Sequence, residues 1–380
     1  MIRLRKLSIK NLKNIGSGDI DFPIPDEEGG ASLLGIYGQN GSGKSGVIDA
    51  LEILKILMSG KILEAYYADL IDTSADAAEL AITLNADEGE CRYQVVIGRD
   101  GGTPVLQSES FKSGGTLVTD TGKDHLSGCS SVFTGLYPKN SDDQIHRISE
   151  FASSGLQIIR TQNLNQIRLR DGGQDILLPL DTSFELAPEA VLPVRRELRQ
   201  LSLVLEQMIP GMRMQLSAGN GRRFELETIR NGRTVPFRFE SVGIQKLAAT
   251  LPLLVRTFAS DNAVLAADEF DFGINEYLFG EILEAYKKFG MGQLIFTSHN
   301  LRPLELLEPD EMVFATADPL KRFKIIKLPE DTTEMRELYY REILLGEGDL
   351  YERTSPYKIS QALYEAGLEE TGEAGDPESV

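Results

Sequence analysis

Runs of apolar and polar residues divide the N-terminal part of the chain into strands, a loop and a helix. Residues 3–9 alternate between polar and apolar side chains and residues 18–24 form a second short extended run, so a β-hairpin is predicted to open the chain. The stretch ASLLGIY at 31–37 is a continuous apolar strand that leads into a glycine-rich loop. Apolar residues then recur at helical spacing, which predicts the order strand, loop, helix.

The middle of the chain has the pattern of strands around one long helix. Residues 79–110 are typical of β-strands joined by turns, whereas the stretch to about 145 is rich in Gly, Ser, Thr and Asp and predicts a loop or an inserted element. The segment PEAVLPVRRELRQLSLVLEQMIP at 188–210 has apolar residues on one helical face. The strands MRMQLSA and RRFELETIR follow, and Asn231-Gly232 predicts a hairpin turn of the primed type.

The last third of the chain alternates helices with buried strands. Ser241 is the predicted N-cap of an amphipathic helix in which Pro252 is expected to cause a kink. The segments NAVLAADEFD and GQLIFTSHN are predicted to be buried strands, with the helix INEYLFGEILEAYKKFG between them. This β-α-β unit predicts parallel strands with a right-handed crossover. The run from Gly367 carries five acids and no base, which predicts a frayed, solvated tail.

The composition is that of a globular protein. Of the 380 residues 41% are apolar, yet no stretch approaches the roughly 20 apolar residues of a membrane span. The N-terminus has basic residues but no apolar run of the kind a signal peptide needs, so a cytoplasmic protein without membrane contact is predicted. Cys91 and Cys129 form no CxxC pair, and neither a disulfide framework nor a zinc site is indicated.

Charge is distributed unevenly along the chain. The net charge of −19 argues against a protein that coats nucleic acid, because phosphate neutralisation needs Lys and Arg. Between Leu156 and Glu240 there are 12 Arg, no Lys and 10 acidic residues, a local charge of +2 that leaves −21 for the remainder. This region is either a mixed, solvated surface or an Arg-bearing lobe that contacts phosphate, as in DNA, or an acidic partner.

The glycine-rich loop has the pattern of a nucleotide-binding P-loop. Residues Gly38–Ser45 read G-x-x-x-x-G-K-S. The glycines permit a tight loop whose backbone N–H groups point at phosphate, and the helix that follows adds the positive end of its dipole. Lys44 is predicted to reach the outer phosphates, and Ser45 to place a hydroxyl on Mg²⁺.

Two acids and a histidine stand at the ends of the predicted buried strands. A metal-bound triphosphate needs a carboxylate at a strand end to hold Mg²⁺, and hydrolysis needs a neighbouring base that orients the attacking water. Asp268 and Glu269 fit these roles in that order. His299 follows the strand LIFTS, and it can contact the terminal phosphate if the two strands are neighbours.

The ordered set GQNGSGKS, ESVGIQKL, LAADEFD and TSHN resembles the motifs of ABC-type ATPases. Within these it resembles the clade of RecF, SMC, Rad50 and OLD-like AAA-family ATPases, because an N-terminal hairpin precedes NGSGKS and an Asp-Glu pair precedes TSHN. The resemblance covers residues 1 to about 320. It implies an α/β P-loop NTPase fold of ABC type, with a mixed sheet core, an N-terminal antiparallel β-subdomain and a helical and β insertion lobe.

The resemblance also implies roles for the motif residues, with ATP and Mg²⁺ as cofactors. Lys44, Glu269 and His299 would be catalytic, and Ser45 and Asp268 would hold the metal. In such ATPases the signature segment of one subunit completes the site of the other, which implies an ATP-dependent homodimer or a higher assembly. The implied nucleotide-binding residues are Gly38, Gln39, Asn40, Gly41, Ser42, Gly43, Lys44, Ser45, Gly46, the signature residues Ser241 and Gly243, and Asp271 of the D-loop.

The chain departs from the family pattern at several places. The usual signature is L-S-G-G-Q, whereas ESVGIQ has Val242 in place of the first glycine. Ser45 and Ser241 are only 196 residues apart, too few for the long arms of SMC or Rad50. About 80 residues follow His299 without an acidic metal-binding cluster, so a nuclease or other effector is expected to be a separate chain. The candidates for the Q-loop glutamine are Gln144, Gln157, Gln162 and Gln166.

Four regions are predicted along the chain. Residues 1–110 form the N-terminal ATPase lobe with the P-loop, and 111–240 an insertion or lid region with the Arg-rich helix and a β-hairpin. Residues 241–330 form the C-terminal ATPase lobe with signature, acidic pair, D-loop and switch histidine. Residues 331–380 form a C-terminal helical segment and an acidic tail.

Three functional hypotheses fit these motifs. The favoured one is an ATPase whose heads dimerise on ATP and act as a switch or motor on DNA or on a separate effector subunit, in prokaryotic DNA repair or anti-phage defence. The alternative is the nucleotide-binding subunit of an ABC membrane transporter, which predicts a regular LSGGQ and an early Q-loop. The third is a non-hydrolysing, ATP-gated scaffold, against which Glu269 argues because a scaffold needs no base.

Overall fold

Two six-stranded sheets form the framework of the computed structural model. The structure describes residues 1–25, 30–87, 89–121, 128–134, 143–160, 164–219, 223–325, 335–345 and 355–371. The strands are β1 (Ile2–Leu12), β2 (Ile15–Asp21), β3 (Ser32–Tyr37), β4 (Ala77–Ala86), β5 (Gly89–Asp100), β6 (Thr103–Ser113), β7 (Thr116–Thr121), β8 (Leu156–Ile159), β9 (Gln166–Asp171), β10 (Gln174–Pro179), β11 (Phe184–Glu185), β12 (Met212–Ala218), β13 (Arg223–Arg230), β14 (Arg233–Pro236), β15 (Val264–Ala267), β16 (Gln293–Thr297), β17 (Met312–Ala315) and β18 (Phe323–Lys324). The α-helices are α1 (Lys44–Met58), α2 (Asp143–Glu150), α3 (Pro188–Met208), α4 (Val242–Phe258), α5 (Glu276–Phe289), α6 (Met335–Leu345) and α7 (Pro356–Thr371).

The central sheet has the strand order β18-β17-β3-β16-β15-β8. Its neighbouring strands are parallel except for β17 and β18, which are antiparallel. Every residue of β3 is buried, as expected for a parallel strand that is covered on both faces. Ile295 of β16 is paired with Leu34 on one side and Ala266 on the other, so the carboxyl ends of β3, β15 and β16 lie side by side.

The N-terminal sheet is antiparallel, with the order β2-β1-β4-β5-β6-β7. One hydrophobic core unites its inward side chains with α1 and with one face of the central sheet. Val47, Leu51 and Leu54 of α1 are fully buried in this core. Gln293 at the start of β16 joins the two sheets, since its side-chain amide accepts from the Leu4 N–H (2.9 Å) and donates to the Leu4 carbonyl (3.0 Å).

The opposite face of the central sheet is covered by a second hydrophobic core, to which α3, α4, α5 and α6 contribute. A small sheet of the order β11-β13-β12, with β14 paired to β13, and the hairpin of β9 and β10 complete this side. Helix α4 begins at the N-cap Ser241, whose hydroxyl accepts from the Ile244 N–H, and α5 begins at Asn275, whose side chain accepts from the Leu278 N–H at 2.8 Å. In the part of the chain that the structure describes, no helix is long and apolar enough to cross a membrane.

The structure confirms the predicted fold class, a mixed central sheet with an antiparallel N-terminal subdomain, and the order strand, P-loop, helix. The β-α-β unit is also confirmed, since β15 and β16 are parallel and flank α5 in sequence. Asn231 and Gly232 have positive φ values of 51° and 75°, as the predicted turn requires. Helix α4 continues past Pro252.

Several predicted boundaries differ from the observed ones. The second strand of the opening hairpin is β2 at Ile15–Asp21, not 18–24, because the turn comes directly after Leu12. The Gly- and Ser-rich stretch contributes β7 to the N-terminal sheet, so the boundary predicted at 110 falls within that sheet. The predicted insertion region contains β8, which pairs with β15 in the central sheet. Helix α7 extends to Thr371, so the predicted tail is helical in its first residues, and residues 372–380 lie outside those described.

Candidate nucleotide site

The P-loop joins β3 to α1 in a backbone conformation that depends on glycine. Gly43, the N-cap of α1, has a φ of 95°, in a region that side chains disfavour. A Cβ at this position would also lie 2.9 Å from Cγ1 of Ile15, so the hairpin turn packs closely on the loop. The Asn14 side-chain amide donates to the Gly41 carbonyl and adds a polar contact between the same two segments.

Lys44 is the first residue of α1, and its side chain extends back to the carbonyls of the loop. Its Nζ donates to the carbonyl oxygens of Gly38 (2.7 Å) and Gln39 (2.9 Å), and the side chain is buried. Burial lowers the pKa of Lys44 to about 8, against the opposing effect of the nearby carboxylates, Asp268 first. A polyanion at the loop would stabilise the charged form of this ammonium group.

A chain of hydrogen bonds joins the P-loop to the ends of β15 and β16. Oδ1 of Asp268 accepts from the Ser45 hydroxyl (3.1 Å) and from the Thr297 hydroxyl (2.7 Å). Among the described residues, no cluster of three or more His, Cys, Asp or Glu could hold a metal ion by itself. Phosphate-bound Mg²⁺ needs only one or two protein carboxylates, because phosphate oxygens and water supply its other ligands, and the oxygens of Ser45 and Asp268 fit such an ion.

Glu269 has a strained backbone. Its φ is 48°, a left-handed conformation that costs a non-glycine residue of the order of 1 kcal/mol or more. Two side chains hold it there, since the Glu269 N–H donates to the Thr297 hydroxyl (2.7 Å) and the Glu269 carbonyl accepts from Nζ of Lys246. Strain of this kind in a cavity is typical of functional residues.

Asp271 and His299 are joined through the backbone. Oδ2 of Asp271 accepts from the N–H groups of His299 (3.2 Å) and Asn300 (3.0 Å), which fixes the segment after β16 against the segment after β15. Partial desolvation and the charge of Lys44 lower the pKa of His299, which favours the neutral form of its imidazole.

These groups surround an open cavity of about 470 Å³. Its lining residues are Lys13, Asn14, Asn40, Gly41, Gly43, Lys44, Ser45, Gly46, Asp268, Glu269, Thr297 and His299. Three predicted binding residues, Gly38, Gln39 and Ser42, do not line this cavity. Gly38 and Gln39 act on it through Lys44, whose ammonium group their carbonyls hold, and the Ser42 side chain is buried. The P-loop, the acidic pair and His299 therefore meet at one edge of the central sheet.

The signature residues lie apart from this cavity. Ser241 is exposed, and neither it nor Gly243 is among the lining residues. Gly243 packs instead on the D-loop of its own chain, where an added Cβ would lie 2.1 Å from the Gly273 carbonyl oxygen. The close backbone contact in this chain is therefore between Gly243 and Gly273. The Val242 side chain is 60% exposed and points away from the core.

Four residues of the site region were not predicted from the sequence. Thr297 lies within the quoted motif TSHN, but a threonine at a strand end has no distinctive signal. Lys13 and Asn14 occupy the hairpin turn, and only the fold brings that turn to the P-loop. Lys246 is a charged residue among the apolar positions of α4, which is a signal that could have been used.

The Q-loop candidates are distributed over different elements. Gln144 in α2 is buried and contacts Ser113, Gln157 in β8 is buried and donates to the Ser154 carbonyl (2.7 Å), and Gln166 begins β9. Gln162 lies outside the described residues.

Comparisons with known proteins give a domain family for part of the chain and a shared fold for most of it. Residues 6–192 match a family model described as an AAA domain. The chain is similar to the SMC head domain from Thermotoga maritima (15% identity, 86% of this chain and 100% of that chain covered, TM-score 0.47). It is also similar to an Smc head bound to the C-winged helix domain of ScpA (18% identity, 86% of this chain and 98% of that chain covered, TM-score 0.51). A third similar structure is the Smc head domain with an extended coiled coil bound to the C-terminal domain of ScpA derived from Pyrococcus furiosus (14% identity, 91% of this chain and 99% of that chain covered, TM-score 0.52). No curated protein matches the chain.

The AAA domain and the fold shared with the latter two heads define a P-loop protein with the architecture of ATPase heads. Within that class, the fold of the chain is that of an SMC head domain.

Loss of the Thr297 hydroxyl is expected to weaken both the fold and the metal site. Thr297→Val keeps the side-chain volume but leaves the Glu269 N–H without its acceptor, so the free energy of unfolding should fall by about 1–3 kcal/mol. Denaturant titration measures this change, and nucleotide titration at graded Mg²⁺ concentrations should show a requirement for more Mg²⁺. Thr297→Ser, which retains the hydroxyl, is the control. Wild-type Mg²⁺ dependence in Thr297→Val would contradict this role.

Lys44→Ala is expected to abolish ATP binding, because the substitution removes the charged side chain that the carbonyls of Gly38 and Gln39 hold in the loop. Isothermal titration calorimetry with Mg-ATP measures the loss. Lys61→Ala, at an exposed lysine just after α1, is the matched control and should bind as the wild type does. Tight ATP binding by Lys44→Ala would overturn the P-loop assignment.

Proposed function

We propose that the chain binds Mg-ATP in the 470 Å³ cavity and hydrolyses it to ADP and phosphate. The observation that carries this proposal is the convergence of three groups on one cavity: the buried ammonium of Lys44, the hydrogen-bonded pair of Ser45 and Asp268, and the carboxylate-bearing Glu269.

Each residue has a role that its surroundings support. Lys44 and the loop N–H groups bind the phosphates, and Ser45 and Asp268 hold Mg²⁺, which supplies charge neutralisation at the phosphates when bound. Glu269 acts as the base that orients water for attack on the terminal phosphate. His299 lines the cavity, its lowered pKa favours the neutral form, and it donates or accepts a hydrogen bond at that phosphate.

A second copy of the chain completes the site in this proposal. Ser241 and the N-terminus of α4 are exposed, and they lie outside the cavity of their own chain. A helix N-terminus binds anions through free N–H groups and its dipole. Two chains, each presenting this terminus to the nucleotide in the other, would enclose two ATP molecules and form a homodimer of heads.

The output of the ATP cycle is proposed to be a switch that acts on a separate effector subunit or on DNA, in DNA repair or anti-phage defence. Two of the similar SMC heads are bound to domains of ScpA, which is the support for an effector subunit. Support for DNA comes from the arginine face, defined as the exposed residues Arg195, Arg196 and Arg199 of α3. Of these, Arg196 also forms an ion pair with Asp171 at 3.1 Å.

Glu269→Gln is expected to bind ATP without hydrolysing it, since the neutral amide has nearly the same shape but cannot act as a base. The test is the molar mass of this variant by light scattering, with and without Mg-ATP. A mass that doubles only with Mg-ATP is the expected result.

The other outcomes separate the two parts of the proposal. An unchanged monomer mass with ATP bound would overturn the composite dimer site. Continued ATP turnover by Glu269→Gln would overturn the assignment of the base. A double variant with Lys44→Ala controls for nucleotide-independent association.

Charge reversal of the arginine face is expected to weaken binding of DNA or of an effector while sparing ATP hydrolysis. The test variant replaces Arg195, Arg196 and Arg199 by Glu. The control variant replaces three exposed basic residues of the N-terminal sheet by Glu, namely Arg5, Lys10 and Arg92. Both changes alter net charge equally. DNA affinity by fluorescence anisotropy at several salt concentrations is the measurement, and equal affinity of the two variants would assign the arginine face to ordinary solvated surface.

A further inference from the structure

Lys246 is a buried charge that the P-loop mechanism does not use. It lies one turn into α4, only 1% exposed, on the helix that begins at the signature residue Ser241. Burial lowers its pKa to about 8, and Asp271, then Glu269 and Asp268, oppose that shift. Burying an ammonium group is costly unless it is paired or hydrogen-bonded, so this position requires an explanation.

The contacts of Lys246 point to the backbone of the proposed base. Its Nζ donates to the carbonyl oxygen of Glu269 and lies 5.2 Å from the ring centroid of Phe272. The same carbonyl accepts from the Phe272 N–H at 3.0 Å, which closes a turn directly after Glu269. Lys246 therefore holds both the strained peptide of Glu269 and the turn into the D-loop.

A second contact connects the same two segments. Gly243, one helical turn before Lys246, touches Gly273 so closely that neither position has room for a Cβ. The first turns of α4 are thus fixed to the D-loop through backbone contact at one point and a charged hydrogen bond at another. A displacement of this end of α4 would have to move the peptide of Glu269 or break the bond from Lys246.

We propose that Lys246 is a positioning residue that places the Glu269 carboxylate and couples hydrolysis in a chain's own cavity to the position of its signature helix. In the proposed dimer, that helix contacts the nucleotide bound by the other chain, so nucleotide bound in one site influences hydrolysis in the other. This inference rests on the proposed function.

Lys246→Met tests the coupling, because methionine fills a similar volume without the charge or the donor. We expect kcat for ATP hydrolysis to fall about 10- to 100-fold, the scale on which a misplaced catalytic group reduces rates, with KM changed by less than about threefold. In the Glu269→Gln background, Lys246→Met should still bind Mg-ATP and still double its mass. Lys246→Arg, which keeps a cationic donor, should restore part of kcat.

Arg256→Met is the matched control, since it removes a half-buried cation near the C-terminal end of the same helix. Its kcat should match that of the wild type, and thermal unfolding of all variants shows whether the fold is intact. A kcat within twofold of wild type for Lys246→Met, or an equal loss in Arg256→Met, would overturn the inference. Loss of ATP binding by Lys246→Met would do so as well.

A failure of the proposed function would give a different experimental result. Wild-type protein that does not hydrolyse ATP overturns that function and this inference together. If the wild-type protein hydrolyses ATP and Lys246→Met has an unchanged kcat, only the role of Lys246 is overturned.

Discussion

Parallel pairing of β3, β16 and β15 is the constraint on which the site depends. Each of these strands ends in a motif, and the register of the sheet brings the three ends together. Asp268 shows the consequence most directly, because one of its carboxylate oxygens accepts hydrogen bonds from Ser45 after β3 and from Thr297 at the end of β16. A shift of one residue in either pairing would invert the side chains of that strand and separate these groups. The two hydrophobic cores, one on each face, hold the register in place.

Much of this arrangement could be predicted from the sequence, because the decisive elements have strong local patterns. Continuous apolar strands, the glycine loop and the N-cap Ser241 are determined by residues close together in the chain, and they predicted the positions of the motifs. The fold class followed from the resemblance of the motif set to ABC-type ATPases. Contacts between distant segments have no such signal. The hairpin turn with Lys13 and Asn14 reaches the P-loop only because the N-terminal sheet packs on α1, and β8 joins the central sheet although no local feature distinguishes it from its neighbours.

Gly243 has a packing requirement within its own chain, in addition to the nucleotide contact proposed for it. The family pattern explains a glycine here by close approach to the nucleotide of another subunit. The structure gives it a contact within its own chain, where Gly273 leaves no space for a side chain. Val242 is tolerated at the preceding position because its side chain points to solvent and the helix N-terminus beside it stays accessible. In the proposed dimer, Ser241 and the N-terminus of α4 would therefore serve as the signature segment, although the sequence departs from L-S-G-G-Q.

The left-handed backbone of Glu269 connects these observations physically. A strained conformation persists only where the surrounding structure over-determines it. Here the Glu269 N–H is held by Thr297, which belongs to the strand carrying the switch histidine, and its carbonyl is held by Lys246, which belongs to the signature helix. The Glu269 side chain branches from the Cα between these two backbone groups, so its placement depends on both elements. Release of either bond removes part of what offsets the strain, and the peptide then has a lower-energy conformation available. A group held in this way responds to small displacements of its neighbours, which is the property that a nucleotide-dependent switch needs.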